Sequence, residues 1–84
     1  MNPMVEVTLW GSLAALAGNE KRIRVEARDI RELFRKLVKR YPGLQPVIES
    51  DVAVSIDGVI YRDNWSKELP EDAEIFLIRR LAGG

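Results

Sequence analysis

The stretch DIRELFRKLVKRY, residues 29–41, decides the fold of this 84-residue chain. Its apolar residues recur at i, i+3, i+4, i+7, i+8 and i+11, which places them in one stripe along an α-helix. They are Ile30, Leu33, Phe34, Leu37, Val38 and Tyr41. Asp29 is a typical N-cap, Glu32 completes a box-like start, and Pro42 with Gly43 ends the helix. One apolar stripe on one long helix predicts that the helix covers one face of a sheet.

Two strands are predicted before this helix. Residues 4–10 alternate between apolar and polar positions, as expected for a strand with one buried face. One face carries Val5, Val7 and Leu9, and the other carries Glu6, Thr8 and Trp10. Residues 21–26 alternate in the same way and are expected to pair antiparallel with the first strand. The connection between them is predicted to contain one helical turn at 13–17, closed by Gly18 and Asn19.

Three further strands are predicted after the helix. Residues 44–48 are expected to form a loop, because the prolines in and beside this stretch disfavour regular structure. Strands are predicted at 52–56 and 59–61, joined by the hairpin-type turn Asp57-Gly58. The last strand is predicted at 74–79, after an acidic turn.

This order of elements predicts an α+β protein with the β-grasp, or ubiquitin-like, fold. The first and last strands have the most apolar inward faces, so we expect them to be central and adjacent. The sheet is expected to be mixed, with four to five strands and one main helix packed on one face. Residues 1–84 form a single domain in this prediction, with a flexible C-terminal tail at 79–84.

The composition excludes several classes of chemistry. The sequence contains no cysteine and no histidine, so it lacks thiolate nucleophiles, histidine bases and the metal sites built from either residue. Clustered acids in the turn before the last strand are interpreted as solvated, and no metal site is predicted. A formal net charge of zero argues against nucleic-acid and membrane-surface binding. With no signal-peptide pattern at the start, a cytoplasmic location is expected.

The last six residues point to a reacting group on the backbone. They read Arg79, Arg80, Leu81, Ala82, Gly83 and Gly84. Glycine has no Cβ, so a tail ending on Gly83-Gly84 is slim and pliable enough to enter a narrow channel. The alternative is an idle, frayed terminus. The apolar strand at 74–79 favours the first interpretation, because a strand that leads into a slim tail can present a carboxylate to a partner.

Three stretches resemble the molybdopterin synthase small-subunit and thiamine sulfur-carrier family. They are residues 5–11 followed by Leu13 and 16–18, the helix end at 37–42, and the segment from Leu69 through the apolar strand to Ala82-Gly83-Gly84. In two places the chain departs from the family pattern. Arg79-Arg80 stands where many members have two prolines, and Glu71-Asp72-Ala73 replaces an Asp-Gly-Asp turn that Asp72 can still adopt.

The resemblance implies a function for the tail. Gly84 would be adenylated with ATP by an activating enzyme, and sulfur would then displace AMP to leave a C-terminal thiocarboxylate, with Gly83 as its slender neighbour. The implied partners are that enzyme, a sulfur donor of the cysteine desulfurase or rhodanese type, and the large subunit of a molybdopterin synthase. The chain itself would bind no cofactor and act as a carrier without catalytic side chains.

Three alternatives to a molybdopterin role stay open. The first is a sulfur carrier for thiamine thiazole or tRNA thiolation. The second is a covalent modifier, since residues 78–84 are similar to the tail of ubiquitin. The third is a binding module that uses the basic outer face of the helix, which carries Arg31, Arg35, Lys36, Lys39 and Arg40.

Strand parity predicts a docking surface beside the tail. Side chains alternate across a strand, so Trp10, Phe76 and Ile78 fall on the sheet face that the helix does not cover. They are expected to form an exposed apolar patch that binds a partner together with the tail residues Arg79, Arg80, Leu81 and Ala82. In the competing interpretation, Trp10 packs under the 13–17 turn as part of the core.

Overall fold

The computed structural model describes residues 3–50, 52–62 and 64–79. These residues form five strands and three α-helices. The strands are β1 (Met4–Leu9), β2 (Arg22–Glu26), β3 (Val52–Ile56), β4 (Val59–Tyr61) and β5 (Glu74–Arg79). The helices are α1 (Ser12–Leu16), α2 (Ile30–Arg40) and α3 (Gln45–Ser50). No helix in the described part of the chain is long and apolar enough to cross a membrane.

The strands form one mixed sheet in the order β2-β1-β5-β3-β4. The first and last strands, β1 and β5, are parallel neighbours in the middle of the sheet, and β2 pairs antiparallel with β1. On the other side, β3 pairs antiparallel with β5 and with the short edge strand β4. The predicted mixed sheet with central first and last strands is therefore confirmed.

Helix α2 forms because its apolar stripe finds a buried face to pack on. Ile30, Leu33 and Leu37 are fully buried in one core with the inward side chains of β1 and β5. The Asp29 side chain accepts a hydrogen bond from the Glu32 backbone N–H at 2.8 Å, which satisfies one of the donors that a helix start leaves unpaired. Glu32 in turn accepts from the Arg28 backbone N–H at 2.7 Å. The predicted helix and its N-cap are both confirmed.

Residues 42–50 correct one prediction. The loop expected at 44–48 is instead a 3-10 turn (Pro42–Leu44) that continues into α3. The prolines do not prevent this, because each lies in the first turn of its element, where the missing N–H has no intrahelical partner to lose. The helical path buries Leu44 and Val47 against the core.

Left-handed backbone occurs in several turns of the described chain, and two of these turns shape the ends of strands. Gly11, two residues after the end of β1, has φ of 56°, and the backbone carbonyl of Trp10 accepts a hydrogen bond from the Leu13 N–H at 3.1 Å. At the β3–β4 hairpin, Asp57 and Gly58 have φ of 48° and 92°, as a two-residue turn that matches strand twist requires. Gly11 thereby turns the chain immediately after Trp10, which leaves this side chain at the edge of the sheet.

Candidate functional site

The helix covers only one side of the sheet. Directly paired residues in neighbouring strands lie on the same face, so the pairing registers identify the side that α2 leaves uncovered. One row crosses all five strands: Arg22 pairs with Thr8, Thr8 with Phe76, Phe76 with Ser55, and Ser55 with Ile60. We call this side of the sheet the open face.

The predicted apolar residues lie together on the open face. Trp10 is 68% exposed, and its ring meets the Phe76 ring edge-to-face with centroids 5.5 Å apart. Ile78 follows Phe76 by two residues on β5 and is 37% exposed. The core role for Trp10 is thus wrong. We call Trp10, Phe76 and Ile78, together with Ile60, the apolar patch.

Ile60 is a member of this patch that the sequence analysis missed. It is 55% exposed on the edge strand β4, and it pairs with Ser55, the neighbour of Phe76 on β3. A signal was present, because the two-residue turn Asp57-Gly58 fixes the register of its hairpin and therefore the face of Ile60. The three-residue strand was too short to reveal a face by alternation alone.

The β3 residues that lie between the large apolar side chains of β5 and β4 are small and buried. Ala53 pairs with Ile78 and is 3% exposed, and Ser55 is also buried. Large side chains on β5 and β4 therefore flank small ones on β3, so the patch continues across three strands. No buried side-chain nitrogen or oxygen in the described residues lacks a hydrogen-bond partner.

Charged side chains border the patch on the side of β1 and β2. Arg22 and Arg24 are exposed on β2 and pair with Thr8 and Glu6 of β1. Glu6 also lies beside Glu74, the first residue of β5. The open face thus changes from charged at the start of β5 to apolar near its end. Among the described residues, no three acidic side chains are grouped so that they could hold a metal ion.

Strand β5 connects the apolar patch to the tail. Arg79 is its last residue and pairs with Val52 of β3, so the strand keeps its place in the sheet up to that point. The predicted site residues Arg80, Leu81, Ala82, Gly83 and Gly84 lie outside the described residues. Phe76 lies on β5, the strand that leads to these tail residues, and Trp10 contacts it from the side.

The outward face of α2 is a second candidate surface. Arg31, Arg35, Lys39 and Arg40 are exposed there, as predicted for a basic helix face. Lys36 is half-buried and donates to the backbone carbonyl of Glu26, so it also fastens the helix to β2. This face points away from the sheet, on the side of the molecule opposite the open face.

Comparisons with known proteins bear on the fold. No family model matches the chain, and no curated protein matches it in sequence. Solved structures do match. The solution structure of small archaeal modifier protein 1 from Methanosarcina acetivorans has a TM-score of 0.81 at 22% identity, covering 100% of this chain and 99% of that one.

Two further structures are similar over almost the whole chain. A putative molybdopterin converting factor subunit 1 from Pyrococcus furiosus has a TM-score of 0.78 at 20% identity, over 94% of this chain and 99% of that one. A chain in the complex of subunits 1 and 2 of the molybdopterin-converting factor from Helicobacter pylori has a TM-score of 0.68 at 26% identity, over 96% and 99%.

These likenesses define the class of fold. The chain has the β-grasp, ubiquitin-like fold, with a mixed five-stranded sheet and a helix packed on one side. Its structural neighbours include a protein named a modifier and chains named molybdopterin converting factor subunits, so the fold that the sequence resemblance implied is confirmed.

Proposed function

We propose that this protein is a sulfur carrier that donates sulfur for molybdopterin biosynthesis as the small subunit of a molybdopterin synthase. Gly84 carries the reacting carboxylate in this proposal. The observation that supports it most is the placement of β5. This strand is central in the sheet, ends at Arg79 shortly before Gly84, and carries Phe76 and Ile78 of the apolar patch.

The chemistry requires an activating enzyme. A carboxylate is a poor electrophile, so the Gly84 carboxylate must first attack the α-phosphate of ATP and release pyrophosphate. The terminal sulfur of a persulfide on a donor of the cysteine desulfurase or rhodanese type then attacks the acyl adenylate and displaces AMP, which leaves an acyl disulfide. A second thiol on a partner protein cleaves the S–S bond, which releases the thiocarboxylate and leaves the two partner thiols joined as a disulfide. The sequence contains no phosphate-binding G-x-x-x-x-G-K-[ST] loop, so the ATP site belongs to the partner. The carrier contributes the slim tail and the surface that positions it.

The apolar patch supplies the docking surface in this account. Exposed, contiguous apolar side chains with a charged surround are typical of partner sites. A partner that grips Trp10 and Phe76 is placed beside the end of β5, from which Gly84 is five residues away. The proposed partners on this surface are the activating enzyme and then the large synthase subunit, which would hold the pterin substrate.

The names of two structural neighbours support the molybdopterin branch. The Pyrococcus furiosus protein is named as a converting factor subunit, and the Helicobacter pylori chain is one partner of a two-subunit converting factor complex. The second fact supports a protein partner for this chain as well.

A covalent modifier is the second candidate, favoured by the neighbour from Methanosarcina acetivorans, which is named a modifier protein. Activation of Gly84 would be the same. The acyl group would then pass to a lysine amine to form an isopeptide bond, instead of accepting sulfur. The described residues suit both candidates equally, because each needs a docking surface and a free glycine carboxylate.

Intact-protein mass spectrometry distinguishes the two candidates. The full chain is incubated with a cognate activating enzyme, ATP and a sulfur source, and the masses of the protein products are measured. A carrier gains the mass difference between sulfur and oxygen on a single chain. A modifier produces conjugates in which other proteins gain about the mass of this chain, 9.6 kDa. If neither product forms with any cognate activating enzyme, the proposal is wrong.

A further inference from the structure

The outward face of α2 is strongly positive, although the chain as a whole is neutral. Residues 28–40 contain six arginine and lysine side chains and only two carboxylates, a net charge of +4. Because the chain as a whole is neutral, the remaining residues together carry −4. Net charge therefore does not describe what this face presents to a partner. The expectation of no nucleic-acid binding rested on that net value.

The two carboxylates in this segment are less exposed to solvent than the arginine side chains beside them. The Asp29 side chain caps α2, and Glu32 accepts hydrogen bonds from the Arg28 backbone and, at 3.3 Å, from the Arg35 guanidinium. The Glu32 and Asp29 side chains are 16% and 21% exposed, whereas that of Arg35 is 73% exposed. A partner approaching this face thus meets guanidinium groups before it meets carboxylates.

The cations are also evenly spaced. Arg31, Arg35 and Lys39 are exposed and follow one another at intervals of four residues. An α-helix rises 1.5 Å per residue, so they lie about 6 Å apart along its axis, in a row about 12 Å long. An even row of cations suits a linear polyanion with regularly repeated charges. Arginine adds the ability to bind a phosphate through two parallel hydrogen bonds.

This face lacks the apolar anchors on which protein partners depend. The outward positions 31, 32, 35, 36 and 39 of α2 all carry charged side chains. Protein interfaces rely on buried aromatic or aliphatic anchors, whereas nucleic-acid interfaces are far more positive. The apolar patch that would serve a protein partner is on the other side of the sheet. We therefore propose that the outward face of α2 binds the phosphodiester backbone of a nucleic acid.

Two properties of this binding follow. It is independent of sequence and weak, with a Kd of about 10⁻⁴ to 10⁻⁶ M at physiological salt. Three to four phosphate contacts to a single strand give a slope of log K against log salt of about −2 to −3. Because the row and the apolar patch face opposite ways, the chain can hold a nucleic acid while its open face is docked on a protein.

Fluorescence anisotropy with the full chain tests the proposal. The probes are a labelled single-stranded RNA of about 20 nucleotides, an RNA duplex and a DNA duplex, each titrated at several salt concentrations. The test variant is Arg31→Gln, Arg35→Gln, Lys39→Gln. The matched control, Lys21→Gln, Arg22→Gln, Arg24→Gln, removes the same charge from exposed positions at and before β2. We expect the test variant to bind at least tenfold more weakly with a slope about 2 units shallower, and the control to change less than about threefold.

Four results would overturn the proposal. They are no binding of the wild type to any of the three probes, a salt slope near zero, an equal loss in both triple variants, and displacement of RNA by an equal charge concentration of polyglutamate. The last would indicate an acidic protein as the partner. Thermal unfolding of each variant shows whether it folds. If the test variant does not fold, the wild-type slope and the polyglutamate competition decide the question alone.

Discussion

At the scale of single residues, Trp10 has the clearest separable role. Its side chain is large, 68% exposed and in contact with the Phe76 ring on the open face. Exposure of an indole costs solubility and gives little stability to the monomer, because the hydrophobic gain scales with the area removed from water. A role in binding explains this placement better than a role in folding.

The first prediction is that Trp10→Ala weakens partner binding while the fold survives. Truncation of an aromatic anchor at an interface typically costs 2 kcal/mol or more, which is about thirtyfold in Kd. Titration calorimetry with the activating enzyme or the large subunit measures it. Val59→Ala is the matched control, because Val59 is 55% exposed but pairs with Ile56 and so faces the helix side. Unchanged affinity together with a large fall in Tm would make Trp10 a structural residue.

The second prediction concerns Gly84. Deleting it, or replacing it with phenylalanine, is expected to abolish sulfur transfer and to leave the unfolding free energy unchanged. The reason is that glycine has no side chain, so the loss of Gly84 removes no apolar side chain whose burial could stabilise the fold. Thermal unfolding and the thiocarboxylate assay together check it. Sulfur transfer by the Gly84→Phe variant would contradict the need for a slim tail.

At the scale of elements, the strands and α2 were predictable because their side chains repeat with clear periods. The period of two in β1 and β5 fixed which residues face α2, and the period of 3.6 fixed the buried stripe of α2. Helix α3 was not predictable in the same way. Whether a proline such as Pro46 breaks a helix or starts one depends on where the helix begins, and six residues show too little periodicity to indicate that.

The third prediction is that Asp29→Ala destabilises the protein by about 1 kcal/mol, the usual cost of losing an N-cap side chain. In a domain of this size that lowers Tm by about 4–8 °C. Asp29→Asn is the control, because asparagine also accepts the hydrogen bond from the Glu32 N–H and should stay near the wild type. Urea unfolding at equilibrium measures both. An alanine variant as stable as the wild type would show that the capping bond contributes nothing.

The fourth prediction tests whether activation depends on the open face or on the outward face of α2. Changing Arg35, Lys36 and Lys39 together to glutamate is expected to leave thiocarboxylate formation largely intact. The apolar patch and β5 are on the other side of the sheet from these side chains. Rates of formation by intact mass, with circular dichroism as the folding control, check this. Loss of activation in a folded variant would place the activating enzyme on α2.

At the scale of the whole molecule, the proposed docking surface and the proposed reacting group belong to different parts of the chain. The sheet holds Phe76 and Ile78 in fixed register, the Trp10 ring packs against Phe76, and the proposed reacting group follows β5 along the chain. The fold, the central position of β1 and β5 and most of the patch could be predicted from sequence, because they depend on periodicity and parity. Ile60 could not be found from alternation, because its strand is three residues long, and the charge segregation on α2 is hidden in a net charge of zero.

The most direct test of the central claim locates sulfur on the chain. Wild-type protein is incubated with the activating enzyme, ATP and a sulfur donor, and the product is fragmented intact in the mass spectrometer. The same reaction without ATP is the control. The account predicts that sulfur replaces one oxygen on Gly84 alone and only when ATP is present. An unmodified Gly84 in the complete reaction, or sulfur on any other residue, would contradict it.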